Sequence, residues 1–341
     1  MSRFLGRTKA LHDKKAKIGV LVTNLGTPKA PTASALRTYL REFLSDPRVV
    51  EIPRIVWMMI LHGIILRVRP KKSAALYKSI WTEEGSPLLV ISKKQKAKIE
   101  QSLTDKYGDQ VTVALAMRYG EPSIEQALNT FQESGVNDII VLPLYPQYAG
   151  PTVASTFDAV VNTLKKWRWI PSLRFISGYY DNPKYIEALK YRVTEHIKQH
   201  GKPDKLVLSY HGMPQCFLEQ GDPYYCFCHM TTRLLVESLG FEKNDYVMTF
   251  QSRFGKAQWL QPYTDITLEN LAKEGNKHIA IMSPAFSADC LETLEELEHE
   301  NREVFIEAGG ESYHYIPALN DDELHIEALV DVISASIKSS N

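Results

Sequence analysis

Three apolar runs in the first half of the chain break off at residues that cannot continue a strand, and the second half repeats the series in the same order. Ile18 to Thr23 leads into Gly26-Thr-Pro28, and Lys205 to Ser209 into His211-Gly-Met-Pro214. Val111 to Met117 ends at Arg118-Tyr-Gly120, and Tyr246 to Phe250 ends at Ser252-Arg-Phe-Gly255. Asp138 to Leu144 and His278 to Met282 both finish in proline turns, at Pro143 and Pro284. Helical segments lie between these runs. Thr32 caps one with Leu36, Tyr39, Leu40 and Phe43 on a single face, Lys93 to Leu103 is a second, and Ser123 caps a third over Ile124 to Phe131. Strand-then-helix units in succession predict a parallel sheet covered on both faces. Repeated twice, they predict an α/β chain of two similar Rossmann-like domains, each a parallel sheet flanked by helices.

On this reading the first domain covers 16–160 and the second 161–312, while 313–341 is a C-terminal strand and helix packing back on the body, the helix amphipathic from Leu324 to Ile337. Helices around Pro183 to His200 bridge the domains. A length of 341 residues suits two cores better than one. Lys+Arg and Asp+Glu both count 40, so no excess of positive charge marks a nucleic-acid partner. Arg3, Arg7, Lys9, Lys14, Lys15 and Lys17 precede an apolar run too short and too late for a signal peptide. No stretch reaches the roughly 20 apolar residues of a spanning helix, so a cytoplasmic protein is expected.

One apolar segment stands apart. Ile52 to Leu66 carries Trp57 and is followed by Arg67, Arg69, Lys71 and Lys72. A buried core helix and a lip at the membrane interface fit it equally, and the basic flank favours peripheral contact with a membrane surface.

His211 falls at the C-terminal tip of a buried strand, the edge where open α/β sheets bind ligands. Past another strand end on that edge, Glu292, Glu296 and Glu300 recur every four residues and stack on one side of a helix. A solvated acidic face is the ordinary explanation of such a row. Its position beside an imidazole suits proton uptake and the passage of a hard divalent cation from oxygen to oxygen. Cys216, Cys226 and Cys228 crowd together, which in a chain this long points to metal or redox chemistry in a reducing compartment.

The segments Asn24-Leu-Gly-Thr-Pro28, Leu142-Pro-Leu-Tyr-Pro-Gln147, Leu208-Ser-Tyr-His-Gly-Met-Pro214, Thr249-Phe-Gln-Ser-Arg-Phe-Gly255 and Ala288-Asp-Cys-Leu-Glu-Thr-Leu-Glu-Glu296 together resemble the bacterial type of ferrochelatase, from about Ile18 to Pro317. The resemblance implies a lyase that inserts Fe²⁺ into protoporphyrin IX with release of two protons, forming protohaem in the terminal step of haem biosynthesis. It implies two Rossmann-like domains with the porphyrin in the cleft between them. His211 then matches the base that accepts pyrrole protons, Glu292 its acidic partner, and Glu296 and Glu300 a row conducting metal or protons; these four form the expected metal path. Leu25, Ser86, Arg118 and Tyr119 match positions that line the porphyrin pocket, and Ile52 to Leu66 matches the membrane-touching lip. Some members have histidine where this chain has Cys290, which leaves open whether a second base assists Glu292.

The chemistry asks for such a set. Two pyrrole protons must leave as Fe²⁺ enters, and neutral imidazole is poised to take them near pH 7. A planar macrocycle hides its lone pairs, so binding must bend it. Some family members hold a [2Fe-2S] cluster with ligands in the insert after the catalytic histidine. Cys216, Cys226 and Cys228 are candidates here, with Cys290 or His229 as the fourth ligand; free thiols are the other reading. Rival functions are a chelatase for a more carboxylated tetrapyrrole and a non-catalytic haem carrier. Monomer and homodimer both remain open.

Overall fold

The computed structural model describes residues 4–6 and 17–338. The N-terminal basic residues Arg3, Arg7, Lys9, Lys14 and Lys15 lie outside them. Two compact units emerge, one of 17–145, 149–178 and 329–338, the other of 146–148 and 179–328.

In the first unit the strands β1 (Lys17–Gly26), β2 (Val111–Tyr119), β3 (Val136–Pro143) and β4 (Ser172–Phe175) form a parallel sheet of order β2-β1-β3-β4. In the second, β5 (Lys205–His211), β6 (Tyr246–Gln251), β7 (His278–Met282) and β8 (Ser312–Tyr315) repeat that order as β6-β5-β7-β8. Both have the doubly wound switch point, where the chain leaves the first strand in one direction and later returns on its other side. Apolar continuity explains the central strands. Val20, Leu21 and Val22 of β1 and Leu206, Val207 and Leu208 of β5 are wholly buried, each contributing about 1.5–3 kcal/mol relative to exposure.

The helices supply the covers. Ala33–Leu44 is capped by the Thr32 hydroxyl, and Ile124–Glu133 by a reciprocal box between Ser123 and Gln126. Leu128 and Phe131 of the second helix pack with Leu21, Ile139 and Val141 in the first core. Leu268, Leu271, Leu297 and Phe305 pack with Val207 and Ile281 in the second.

The first unit runs on through residue 178, because β4 pairs with β3 from Asp138↔Ser172 to Val141↔Phe175. Likewise β8 pairs with β7 and belongs to the second unit, so no separate segment begins at 313. The helix Pro183–His200 lies within the second unit. The C-terminal helix Glu323–Lys338 divides between the two, and Arg174 next to the first sheet's edge donates to the Ser336 carbonyl.

The lip resolves into a short α-helix Arg54–Ile60, a π-helical turn Leu61–Ile65 and the helix Leu66–Ile80. It has two faces. Trp57, Leu61 and Leu66 are buried, and Trp57 Nε1 donates to the Leu44 carbonyl at 2.6 Å. Ile55 and Met59 are 79% and 64% exposed, with Ile64 and Val68 continuing the outward face. No helix among the described residues is long and apolar enough to cross a membrane.

Candidate active site

His211 is the last residue of β5, paired in register with Gln251 at the end of β6. Its Nδ1 lies 2.7 Å from the Gly212 carbonyl oxygen. A carbonyl can only accept, so Nδ1 carries the proton and Nε2 presents the lone pair. Alternation along β5 puts Ser209 on the same side of the sheet as His211. The Ser209 hydroxyl donates to Gln251 Oε1 at 2.8 Å, which turns the amide's Nε2 toward the acidic helix. That nitrogen donates to the Glu292 carbonyl at 2.8 Å and to Glu296 Oε2 at 3.2 Å.

Ser252 follows in the left-handed region, with φ 64°. For a side-chain-bearing residue this costs about 1–3 kcal/mol, a strain found mostly at functional sites. It aims two donors at one carboxylate: the Ser252 N–H reaches Glu296 Oε1 at 2.7 Å and the hydroxyl donates to Oε2. Burial pushes the Glu296 carboxyl up, while the Ser252 hydroxyl, the charge of nearby His211 and the Gln251 amide pull it back. His211 and Glu296 are therefore electrostatic neighbours.

The acidic segment Glu292–Glu300 is a π-helix rather than an α-helix. Its wider turn, bonded i to i+5, sets Glu295 close to Glu300, and Glu295 is the residue that four-residue spacing overlooks. Burial, then the charges of Glu300, Glu296 and Glu303, raise the Glu295 carboxyl to about 7. A carboxyl raised on folding stabilises below its unfolded value, near 4.5, and loses that contribution as pH climbs through about 7. Glu295→Gln is expected to melt higher than the parent at pH 8, by roughly 1–2 °C because solvent still screens the row, and level with it at pH 4.5. Equal melting curves at both pH values would remove the like-charge strain inferred here. Glu300 is exposed at the outer end of the row, and Glu292 and Glu296 are partly buried toward the inner end.

Asp289, just before the helix, is buried and fully engaged. It accepts from Thr293, Tyr315 and Asn320, and so ties the start of the acidic helix to β8 and the loop after it. Cys290 is buried, and burial followed by its hydrogen bond to the Glu292 carboxylate drives the thiol far above its ordinary value. Its thiol is a hydrogen-bond partner of Glu292 at the start of the acidic helix.

The first unit has its own polar cluster at the strand ends. The Asp46 carboxylate accepts from Arg118, from the Tyr119 hydroxyl at 2.9 Å and from the Ser155 hydroxyl at 2.6 Å. Burial alone would raise Asp46, but Ser155, the Arg48 N–H and Arg118 hold it below its usual value. Tyr119 is wholly buried and Ser86 nearly so, its hydroxyl accepting from Thr27 at 2.8 Å. Leu25 and Arg118 keep partial exposure. Of these pocket candidates, Leu25 and Arg118 can meet a ligand, while Tyr119 and Ser86 hold their neighbours in place.

The thiols do not fit a cluster. Cys226 and Cys228 lie on the helix Tyr224–Leu239, where residues two apart face different ways; an extended chain would have aligned them. Cys216 and Cys226 are exposed, and Cys228 and Cys290 are buried. Burial keeps the Cys228 thiol protonated, hydrogen-bonded to Tyr224. Among the described residues no three His, Cys, Asp or Glu side chains are already arranged to hold a metal ion, and that includes His211, Glu292, Glu296 and Glu300. Glu296 is held by Ser252 and Gln251, and Glu300 stands at the exposed end of the row.

The sequence family described as Ferrochelatase matches residues 17–337. The chain belongs to the ferrochelatase family. A ferrochelatase of Shewanella denitrificans is 60% identical over 332 residues, covering 94% of this chain and 98% of that protein. Ferrochelatase 2 of Shewanella oneidensis is 58% identical with the same coverage of both. Among solved structures, SirB from Bacillus subtilis with Fe3+ superposes at a TM-score of 0.57 and 12% identity, over 94% of this chain and 95% of that one. At that identity the likeness shows the fold alone. The ferrochelatase family thus shares its doubly wound architecture with chelatases of very different sequence.

Proposed function

We infer that the chain inserts Fe²⁺ into protoporphyrin IX, releasing two protons and forming protohaem, the terminal step of haem biosynthesis. The observation that carries the site assignment is the tautomer of His211, whose Nε2 lone pair is left free at the sheet edge by the Nδ1–H bond to Gly212. Nε2 takes a pyrrole proton, and Glu296 stabilises the resulting imidazolium. Glu292, oriented by Cys290 and by its backbone bond from Gln251, is the acidic partner. The carboxylates from Glu300 inward offer oxygen ligands to the hard cation and places for departing protons. In the first unit, Leu25 and Arg118 meet the macrocycle, backed by Ser86 and by Tyr119 on Asp46.

The deciding experiment mixes the purified chain anaerobically with protoporphyrin IX and Fe²⁺. Many turnovers are expected; conversion that stops at one equivalent makes the protein a carrier instead. Preference for a tetrapyrrole with more carboxylates would shift the assignment to another chelatase. Glu300→Gln should raise KM for Fe²⁺ roughly tenfold while lowering kcat little, since only metal delivery passes this exposed carboxylate. An unchanged metal KM ends the conduit idea.

Iron is substrate here, and the thiol geometry supports ordinary cysteines rather than a [2Fe-2S] cluster. The apolar outer face of the lip and its basic flank support peripheral docking on the inner face of a membrane, with the body in the cytoplasm. Ile55→Ser with Met59→Ser is expected to weaken binding to anionic vesicles about tenfold. Trp57→Ser should instead lower the melting temperature, because that ring is an anchor. Vesicle binding that ignores the double substitution would make the lip's exposed face incidental.

A further inference from the structure

The second unit carries a histidine cluster at the edge of its sheet opposite His211. His196 and His200 sit one turn apart on the last turns of the helix Pro183–His200, their ring centres 4.6 Å apart. His314 of β8 lies 5.4 Å from the first and 4.4 Å from the second. His278, the first residue of β7, pairs in register with Ser312 and adds a fourth imidazole to the rim. A cavity of about 210 Å³ opens among His196, His200, Lys202, His278, Ser312 and His314. No carboxylate lines it.

The spacing of the three rings suits ligands that share one ion. Metal–nitrogen bonds of roughly 2.0–2.1 Å set ring centres about 4.5–5.3 Å apart for ligand angles between right and tetrahedral. Histidines four apart on a helix are a recurrent two-ligand unit for zinc. Ser312 Oγ lies 2.8 Å from His314 Nε2, which fixes that ring as an outer-shell partner would and leaves Nδ1 open.

We propose that His196, His200 and His314, with His278 at the rim, form a binding site for an imidazole-seeking divalent transition ion, separate from the iron-insertion site. The rings are tilted against one another and are not yet arranged as a closed shell. With His314 held by Ser312, assembly needs rotation about the soft terminal torsions of His196 and His200, and the adjoining cavity leaves room for it. Imidazole-only ligation favours Zn²⁺, Cu²⁺ or Ni²⁺ over Mg²⁺ or Ca²⁺.

Zinc is the probe, being redox-inert. Titration calorimetry on the porphyrin-free chain should find a Zn²⁺ ion that persists in His211→Ala and binds roughly 100-fold or more weakly in His196→Ala with His200→Ala. Iron insertion by that double variant should match wild type. Zinc-edge absorption of the His211→Ala protein should show scattering from three imidazoles. Retained zinc binding in the double variant, loss of all binding in His211→Ala, or an oxygen-dominated shell at the edge would each overturn the proposal. Should the double variant melt early, His200→Gln alone, at an exposed position, must still weaken binding at least about tenfold.

Discussion

His211→Ala should lose roughly 10²–10⁴-fold of the insertion rate while still binding protoporphyrin. The imidazole acts on a ring that apolar contacts already hold, so its removal belongs in kcat and leaves the porphyrin dissociation constant nearly unchanged. Single-turnover mixing with Fe²⁺ measures the first quantity and quenching of porphyrin fluorescence the second. The orientation of the base comes from its own neighbour, the Gly212 carbonyl. Glu296 is held by Ser252 and Gln251 and cannot swing in as a substitute. A variant that keeps more than about a tenth of the rate would move the base role to a carboxylate or to water.

The doubly wound pattern was legible because its signals are backbone signals. Long apolar strands broken by Gly and Pro mark the sheet edge wherever they occur, and the first three strands of each sheet lie where those breaks put them. The fourth strand of the first sheet carries no such signal, and that of the second is legible only as a C-terminal strand without bounds, for a physical reason. Ser172-Leu-Arg-Phe175 and Ser312-Tyr-His-Tyr315 are four-residue edge strands of mixed polarity, too short for any period to show. The lip was undecidable as core or surface because it is both, with Trp57 inward and Ile55 outward.

At the candidate site, His211 and the row from Glu292 could be proposed from position and resemblance. The residues that hold them could not. Gln251 and Ser252 are ordinary polar residues in sequence, and only the register of β6 against β5 and a left-handed turn bring them to Glu296. Glu295 was hidden by the assumption of an α-helical period, which a π-helix does not obey. The thiols failed for the converse reason: their crowding in sequence is undone by a helix that turns Cys226 out and Cys228 in.

Gly212→Ala carries the second large effect, and it tests whether this edge is as stiff as its hydrogen bonds require. A Cβ at Gly212 would stand 2.6 Å from the Gln251 carbonyl oxygen and 3.1 Å from the Trp259 ring. The Gly212 N–H already donates to that carbonyl at 2.7 Å, so the two backbones must part to admit a methyl group. Both consequences reach the chemistry. Gly212 supplies the carbonyl that orients His211, and Gln251 supplies the amide that positions Glu292 and Glu296. A displacement near 1 Å at reacting groups costs about 10²-fold, whereas overpacking of this kind costs about 1–3 kcal/mol of stability. The variant is therefore expected to remain folded and to lose roughly 10²-fold in kcat. Gly26 is the corresponding position in the first unit, where a Cβ would meet the Tyr119 carbonyl oxygen at 1.8 Å with φ at +110°. Gly26→Ala should fall first in stability, because both the clash and the backbone conformation oppose it. Wild-type turnover per folded molecule in Gly212→Ala would mean that the sheet edge yields freely, and that the alignment of His211 with Glu296 does not depend on the close approach of β5 and β6.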